Sequence, residues 1–286
     1  MNNCLVTKLK ATVNNPNLPV LKTDISDFTK AAILASGNSL MTEAQKWALD
    51  GFFESIGAIT NSALWQKIKI LYIPTVAGEV AKAFVNYADM DAIPYTAANV
   101  VLDDNAVFGT GTVAAPASEG VVMNSANFGC YASMNEDIPI SGRNLFEIDS
   151  VSDSSLVAKL NTEVGTGVFR VSYFDASTTK ALVCSTPTEG LTAVGTDFTL
   201  NVRNTDASNS SFRMVNSSGQ EIDFSVSTPG GTLVDSPISS IFKVGLIRTT
   251  AGAGYRIILS GQAFSDAESE IIMNAGRALV AAFVAN

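Results

Sequence analysis

The apolar residues of this chain change their period near residue 91. From Asp27 onward, Phe28, Ala31, Ala32 and Ala35 recur at three- and four-residue spacing, which predicts a helix stopped by Gly37-Asn38. Thr42-Glu43-Ala44-Gln45 fits a capping box, in which the hydroxyl and the Gln amide satisfy exposed backbone donors reciprocally. The helix it opens is expected to carry Trp47, Ala48, Phe52 and Phe53 inward and to end near Gly57. Leu64, Trp65, Ile68, Leu71 and Tyr72 predict a third helix over 62–72, ended by Ile73-Pro74. The apolar spacing continues through Val80, Phe84 and Val85, and Trp47 and Trp65 are expected in the core of this helical module.

After Asp91 the composition shifts to Val, Thr, Ser, Gly, Phe and Asn, in short alternating runs separated by turn residues. About twelve short strands are expected between Asn99 and Leu259, without intervening helices, and this indicates a two-sheet antiparallel sandwich. Asn216-Ser217-Ser218-Gly219 supplies turn chemistry between two of them. Ser265-Asp266-Ala267-Glu268 is a second capping box, opening a terminal helix whose expected stripe is Ile271, Ile272, Ala275, Leu279 and Phe283. The expected fold class is therefore α+β: an N-terminal helical module followed by an antiparallel two-sheet β-sandwich with a C-terminal helix. The expected division is an arm over 1–22, the helical module over 23–92 and the sandwich with its helix over 93–286. Residues 1–20 show no strong period, so the arm needs a surface to lie on.

Composition sharpens this picture. Of 286 residues, 47% are hydrophobic and only 16% charged, against roughly a quarter charged in an average soluble domain. With a mean hydropathy of +0.24, little surface is reserved for water, which hints at assembly with other subunits. The formal net charge is −9, an argument against nucleic acid, whose recognition rests on Lys and Arg neutralising phosphates. Residues 1–100 hold eight Lys, no Arg and eight acids, so the whole net charge falls in 101–286. The longest apolar run, Ala278 to Ala285, is far short of the roughly 20 residues that span a bilayer, so no membrane partner is expected. The first residues lack a basic segment followed by an apolar stretch, so no secretion signal is expected.

The chain has no histidine. That removes Ser-His-Asp and Cys-His triads, His-ligated zinc and imidazole acid/base chemistry. Cys4, Cys130 and Cys184 are far apart, without a C-x-x-C pair, and are expected as buried free thiols. Paired carboxylates are the remaining hydrolytic option, with Asp103-Asp104, Glu136-Asp137, Glu147/Asp149 and Glu221/Asp223 as candidates. Solvated-face or loop charge is the commoner explanation of such pairs. Asp103-Asp104-Asn105 and Asn135-Glu136-Asp137 offer oxygen ligands for calcium, but no complete D-x-D-x-D-G loop is present, and Asp/Asn turn formation competes. Gly109-Thr110-Gly111 and Gly165-Thr166-Gly167 read as turns rather than nucleotide cradles. No catalytic residue, cofactor or metal is expected, and the chain is read as a non-enzyme. Tyr131, Tyr173 and Tyr255 with Asn-rich loops are compatible with sugar binding, although Tyr at alternating strand positions is more often core.

The hairpin over 243–259, followed by Gly261-Gln262-Ala263-Phe264-Ser265-Asp266-Ala267-Glu268 and an amphipathic helix, resembles the end of concanavalin A-like (laminin-G-like) jelly-roll sandwiches of phage and bacterial surface proteins. Asn3-Cys4-Leu5-Val6-Thr7-Lys8-Leu9-Lys10 and Leu64-Trp65-Gln66-Lys67-Ile68-Lys69-Ile70-Leu71-Tyr72-Ile73-Pro74 resemble stretches of virion proteins of crAss-like tailed phages of gut Bacteroides-type bacteria. The resemblance implies a head or tail fibre or adaptor, a structural subunit located in the virion and docking on capsid or tail proteins by its N-terminal region. It also implies a homo-oligomer, with a trimer favoured. Leu5, Val6 and Leu9 are the candidate docking residues, able to add to a sheet edge or fill a groove. The rival reading is a carbohydrate-binding module of a phage tail or bacterial surface that recognises a host-surface glycan.

Overall fold

The computed structural model describes residues 24–91, 100–109, 111–114, 121–123, 127–137, 144–150, 156–162, 169–173, 184–185, 195–204, 210–219, 221–223, 225–226, 238–246 and 254–284. Helices α1 (Asp27–Ser36), α2 (Glu43–Ser55) and α3 (Ala63–Lys67) run directly into strand β1 (Ile68–Tyr72). The next strands are β2 (Val100–Asp103), β3 (Ala106–Gly109), β4 (Gly111–Ala114), β5 (Val121–Met123), β6 (Asn127–Met134), β7 (Asn144–Ser150) and β8 (Leu156–Thr162). They are followed by β9 (Phe169–Tyr173), β10 (Cys184–Ser185), β11 (Asp197–Asn204), β12 (Ser210–Asn216) and β13 (Glu221–Asp223). Last come β14 (Ser225–Val226), β15 (Ile238–Leu246), β16 (Tyr255–Gly261) and helix α4 (Asp266–Val284).

The strands form two antiparallel sheets, and the α+β sandwich class read from the sequence is the observed one. One sheet runs β13-β12-β11-β6-β16-β3-β2, with β1 also paired to β16; the other runs β14-β10-β9-β8-β7-β15-β4, with β5 beside β15. The first sheet is covered on both faces. Residues Phe128 to Met134 of β6 are buried without interruption, where a half-solvated strand would alternate. Toward the second sheet, the Tyr255 hydroxyl donates to the Leu145 carbonyl at 3.0 Å. Toward the helices, Tyr131, Ile257 and Leu259 join a core with Phe53, Ile56, Leu71, Ile272, Leu279 and Phe283. The order is thus helices, sheet, sheet, with the first and last elements of the described chain sharing one layer.

Local chemistry explains most helix ends. The Ser26 hydroxyl accepts from the Thr29 N–H at 3.2 Å and caps α1, and Gly37, at φ 67°, closes it in the left-handed region. Asp50, buried in α2, accepts from the Ser26 N–H and the Thr29 hydroxyl at 2.8 Å each, and so fixes α1 against α2. The Thr42–Gln45 capping box forms as read, with both bonds present.

Four expectations change. The third helix stops at Lys67, and 68–72 is a strand paired with β16, Leu71 opposite Leu259 and Tyr72 opposite Ile258. Ile68, Ile70 and Tyr72 satisfy a two-residue period as well as part of a helical one, and pairing with β16 decides between them. The apolar spacing through Val80 belongs to single 3₁₀ turns at Pro74–Val76 and Val80–Lys82, not a helix. Trp47 is 37% exposed rather than core, whereas Trp65 packs edge-on against Phe28. Ile271 is exposed, and Met273 and Gly276 take places in the buried stripe of α4.

Candidate functional site

The start of α4 forms one wall of a concavity. Its capping box is in place: the Ser265 N–H donates to Glu268 Oε2 at 2.6 Å and the Glu268 N–H to Ser265 Oγ at 3.2 Å. Glu268 also accepts from Lys67 Nζ, 2.6 Å from Oε2, and this ion pair ties the end of α3 to the first turn of α4. Burial raises the Glu268 pKa, but the hydrogen bonds from Lys67 and Ser265 outweigh it, and the carboxyl sits below its ordinary value of 4.5. A carboxyl depressed by folding contributes stability above its unfolded pKa and loses it as pH falls through the folded one. Glu268→Gln is therefore expected to cost about 0.5–1 kcal/mol at neutral pH. Urea titrations of both proteins should converge as the pH falls through the depressed pKa of the folded carboxyl.

Along the first three turns of α4, a groove of 440 Å³ opens between this helix and the β12–β13 turn. Asp266, Glu270, Asn274 and Arg277 line it from the helix, and Val215 and Gly219 from the opposite side. Buried Met273 forms part of its floor. The sheet beneath holds the helix in place through polar bonds. Asn201 Nδ2 donates to the Ser269 hydroxyl at 2.8 Å, and its Oδ1 accepts from the Phe264 N–H at 2.8 Å. Arg277 Nε and Nη2 reach Asp197 at 2.7 and 3.1 Å, and Nη2 donates to the Ser217 carbonyl at 2.7 Å. These bonds fix the guanidinium, and Asp197 favours its charged form. The Tyr131 hydroxyl lies buried against Gly276 on the inner side of α4, its pKa pushed up by burial and by the charge of Asp197.

The residues singled out from the sequence fall in several places. Leu5, Val6 and Leu9 lie outside the described residues. Tyr131 and Tyr255 are core residues, one toward the helices and one toward the second sheet, so neither is a platform for a sugar; the side chain of Tyr173 lies outside the described residues. Asp104 and Asn105 form the β2–β3 turn with positive φ. The Asp104 carboxylate receives Arg256 Nη2 at 3.1 Å, and the Asn105 amide donates to the Phe283 carbonyl at 3.0 Å near the end of α4. Glu136, Asp137 and Glu221 are exposed; the side chains of Glu147, Asp149 and Asp223 are outside the description. Among the described residues, no three carboxylates or thiols come together as a metal site, and no helix is long and apolar enough to cross a membrane. Cys130 is buried and free, its pKa raised by burial.

No groove is expected from the sequence at these residues, where Asp266 and Ala267 figure only in the capping box. The spacing of the helix residues at four, four and three was visible in the sequence, but the opposite wall and Asp197, 80 residues from Arg277, were not.

A second surface lies at the α1–α2 corner. Leu34 and Leu40 are 84% and 88% exposed, and Val80 is exposed as well. Backbone and side-chain bonds bring these segments together: the Gly78 N–H donates to the Ser36 carbonyl at 2.9 Å, and Asn38 Nδ2 to the Val76 carbonyl at 3.3 Å. Three apolar side chains are thus left exposed on segments that meet here.

No family model matches the chain, and no curated protein matches it. Among solved structures, it is similar to the CBM2 module of the evolved Dit of Lactobacillus casei BL23 phage J-1, with 13% identity over 60% of this chain and 82% of that one (TM-score 0.40). It is also similar to the botulinum neurotoxin serotype G binding domain, with 10% identity over 72% of this chain and 50% of that one (TM-score 0.40). A third similarity is to Trypanosoma rangeli sialidase in complex with the inhibitor DANA, with 14% identity over 80% of this chain and 38% of that one (TM-score 0.44). The chain thus spans half or less of the toxin and sialidase structures.

Proposed function

We propose that this chain is a non-enzymatic structural subunit of a phage particle, a head or tail fibre or adaptor, which self-associates through its helical end and holds its sandwich away from the contact. In this reading 1–22 is the docking arm, with Leu5, Val6 and Leu9 engaging capsid or tail proteins, and 23–92 and 93–286 are the contact and display parts of one shared core.

The observation that carries it is the α1–α2 corner, where Leu34, Leu40 and Val80 are left exposed beside a closed core. A second copy of this chain is the occupant that the charge distribution favours. The first hundred residues carry equal numbers of Lys and acids, and the net charge of −9 falls in the remainder. Copies joined at the balanced end keep their negative parts apart, and joining at the other end would set like charges against each other.

Light scattering coupled to size exclusion tests this. The intact chain is expected as an oligomer, a trimer by preference, that Leu34→Ser with Leu40→Ser converts to a smaller species while the thermal midpoint stays within a few degrees, as exposed positions allow. A monomer at every concentration, or an oligomer indifferent to both substitutions, would sink the reading.

A further inference from the structure

We infer that the groove between α4 and the β12–β13 turn binds an uncharged saccharide, a role that stands or falls independently of self-association at the α1–α2 corner. Its volume of 440 Å³ lies within the range of about 300–1,000 Å³ typical of small-molecule sites. Its chemistry is mixed in the way a pyranose requires. Asp266, Glu270, Asn274 and Arg277 follow one another at four, four and three residues, so they occupy one face of α4 over three turns. The side chains of Glu270 and Asn274 are exposed and make no hydrogen bond to any described residue. A carboxylate accepts from two hydroxyls, and an amide one turn away both donates and accepts, so the pair can bridge neighbouring ring hydroxyls. Met273 in the floor, with Ala267 and Val215 on the two walls, offers apolar surface to the C–H face of a ring. On the far side Gly219, at φ 77°, offers backbone alone, and a Cβ there would meet nothing within 4 Å, so the mouth is open.

Charge selects the class of sugar. Arg277 is the cation among the lining residues, and its guanidinium is already engaged by Asp197 and the Ser217 carbonyl. Glu270 then leaves the groove negative. A sialylated or sulfated sugar would enter against that field. A lysine side chain is the competing occupant, but it has no acceptor to offer the Asn274 amide.

Saturation-transfer NMR on the full chain separates these outcomes. The probes are glucose, galactose, mannose, N-acetylglucosamine and rhamnose at millimolar concentration, with N-acetylneuraminic acid and N-acetyl-lysine methylamide as comparators. At least one uncharged sugar is expected to give transfer, and the two comparators none. Glu270→Ala and Asn274→Ala should each weaken that sugar by about tenfold, the usual effect of leaving a polar partner unpaired, and Glu270→Gln should recover part of the loss. Both positions are exposed, so unchanged thermal melting of the variants certifies the fold. Transfer from none of the uncharged sugars overturns the inference. So does binding that survives both alanine variants, or preference for either comparator.

Discussion

Gly261→Ala is expected to cost about 3–5 kcal/mol, enough to leave much of the protein unfolded at physiological temperature. Gly261 ends β16 where β1 begins, and its Cα partner in that ladder is Ile68. A Cβ at this position would collide with the Lys67 carbonyl oxygen, and would stand 3.0 Å from the Ile68 Cα. These are backbone atoms, which no rotamer change can move aside. The same carbonyl accepts from the Gln262 N–H at 3.0 Å, so relief by separating the chains would also break that bond. Urea unfolding followed by tryptophan fluorescence measures the effect. A variant with the wild-type midpoint would show that β1 does not depend on this close approach.

Phe264→Ala is expected to cost a comparable 3–5 kcal/mol through the cavity it leaves. Its ring is fully buried where the chain turns from β16 into α4. It lies over Gly129 of β6, where a Cβ would come within 2.6 Å of Cδ2. The Asn201 bond to the Phe264 N–H, 2.8 Å long, sets the backbone, so neighbouring groups cannot easily collapse into the space. The midpoint should fall while the denaturant slope stays unchanged. A loss below about 1 kcal/mol would mean that the helical layer and the sheet are coupled elsewhere.

These two positions show what could be read from the chain alone. Thr42–Gln45 and Ser265–Glu268 were legible because a capping box joins residues three apart, and the two-sheet class followed from the many short strands after Asp91. β1 was not legible, since Leu64, Trp65, Ile68, Leu71 and Tyr72 also satisfy a helical stripe, and the partner that decides lies nearly 190 residues away. Tyr131 and Tyr255 looked equivalent because alternation assigns a residue to a face without saying what covers it. Here helices cover one face and a second sheet the other. The groove was hidden for a related reason: its helical wall is written in consecutive turns, but its other wall and the anchor of Arg277 come from β12 and Asp197.

The helical layer has a consequence for synthesis of the chain. α1 and α2 emerge from the ribosome before any described strand, yet the surface they share with Leu71 and Tyr131 is sealed only when α4 arrives with Ile272, Leu279 and Phe283. Until then the nascent chain must hold an apolar sheet face and two helices without their cover. Pairings this distant in sequence form slowly, and partly covered intermediates of this size are prone to aggregate. Completion of α4 is thus the step that commits the chain to its folded form.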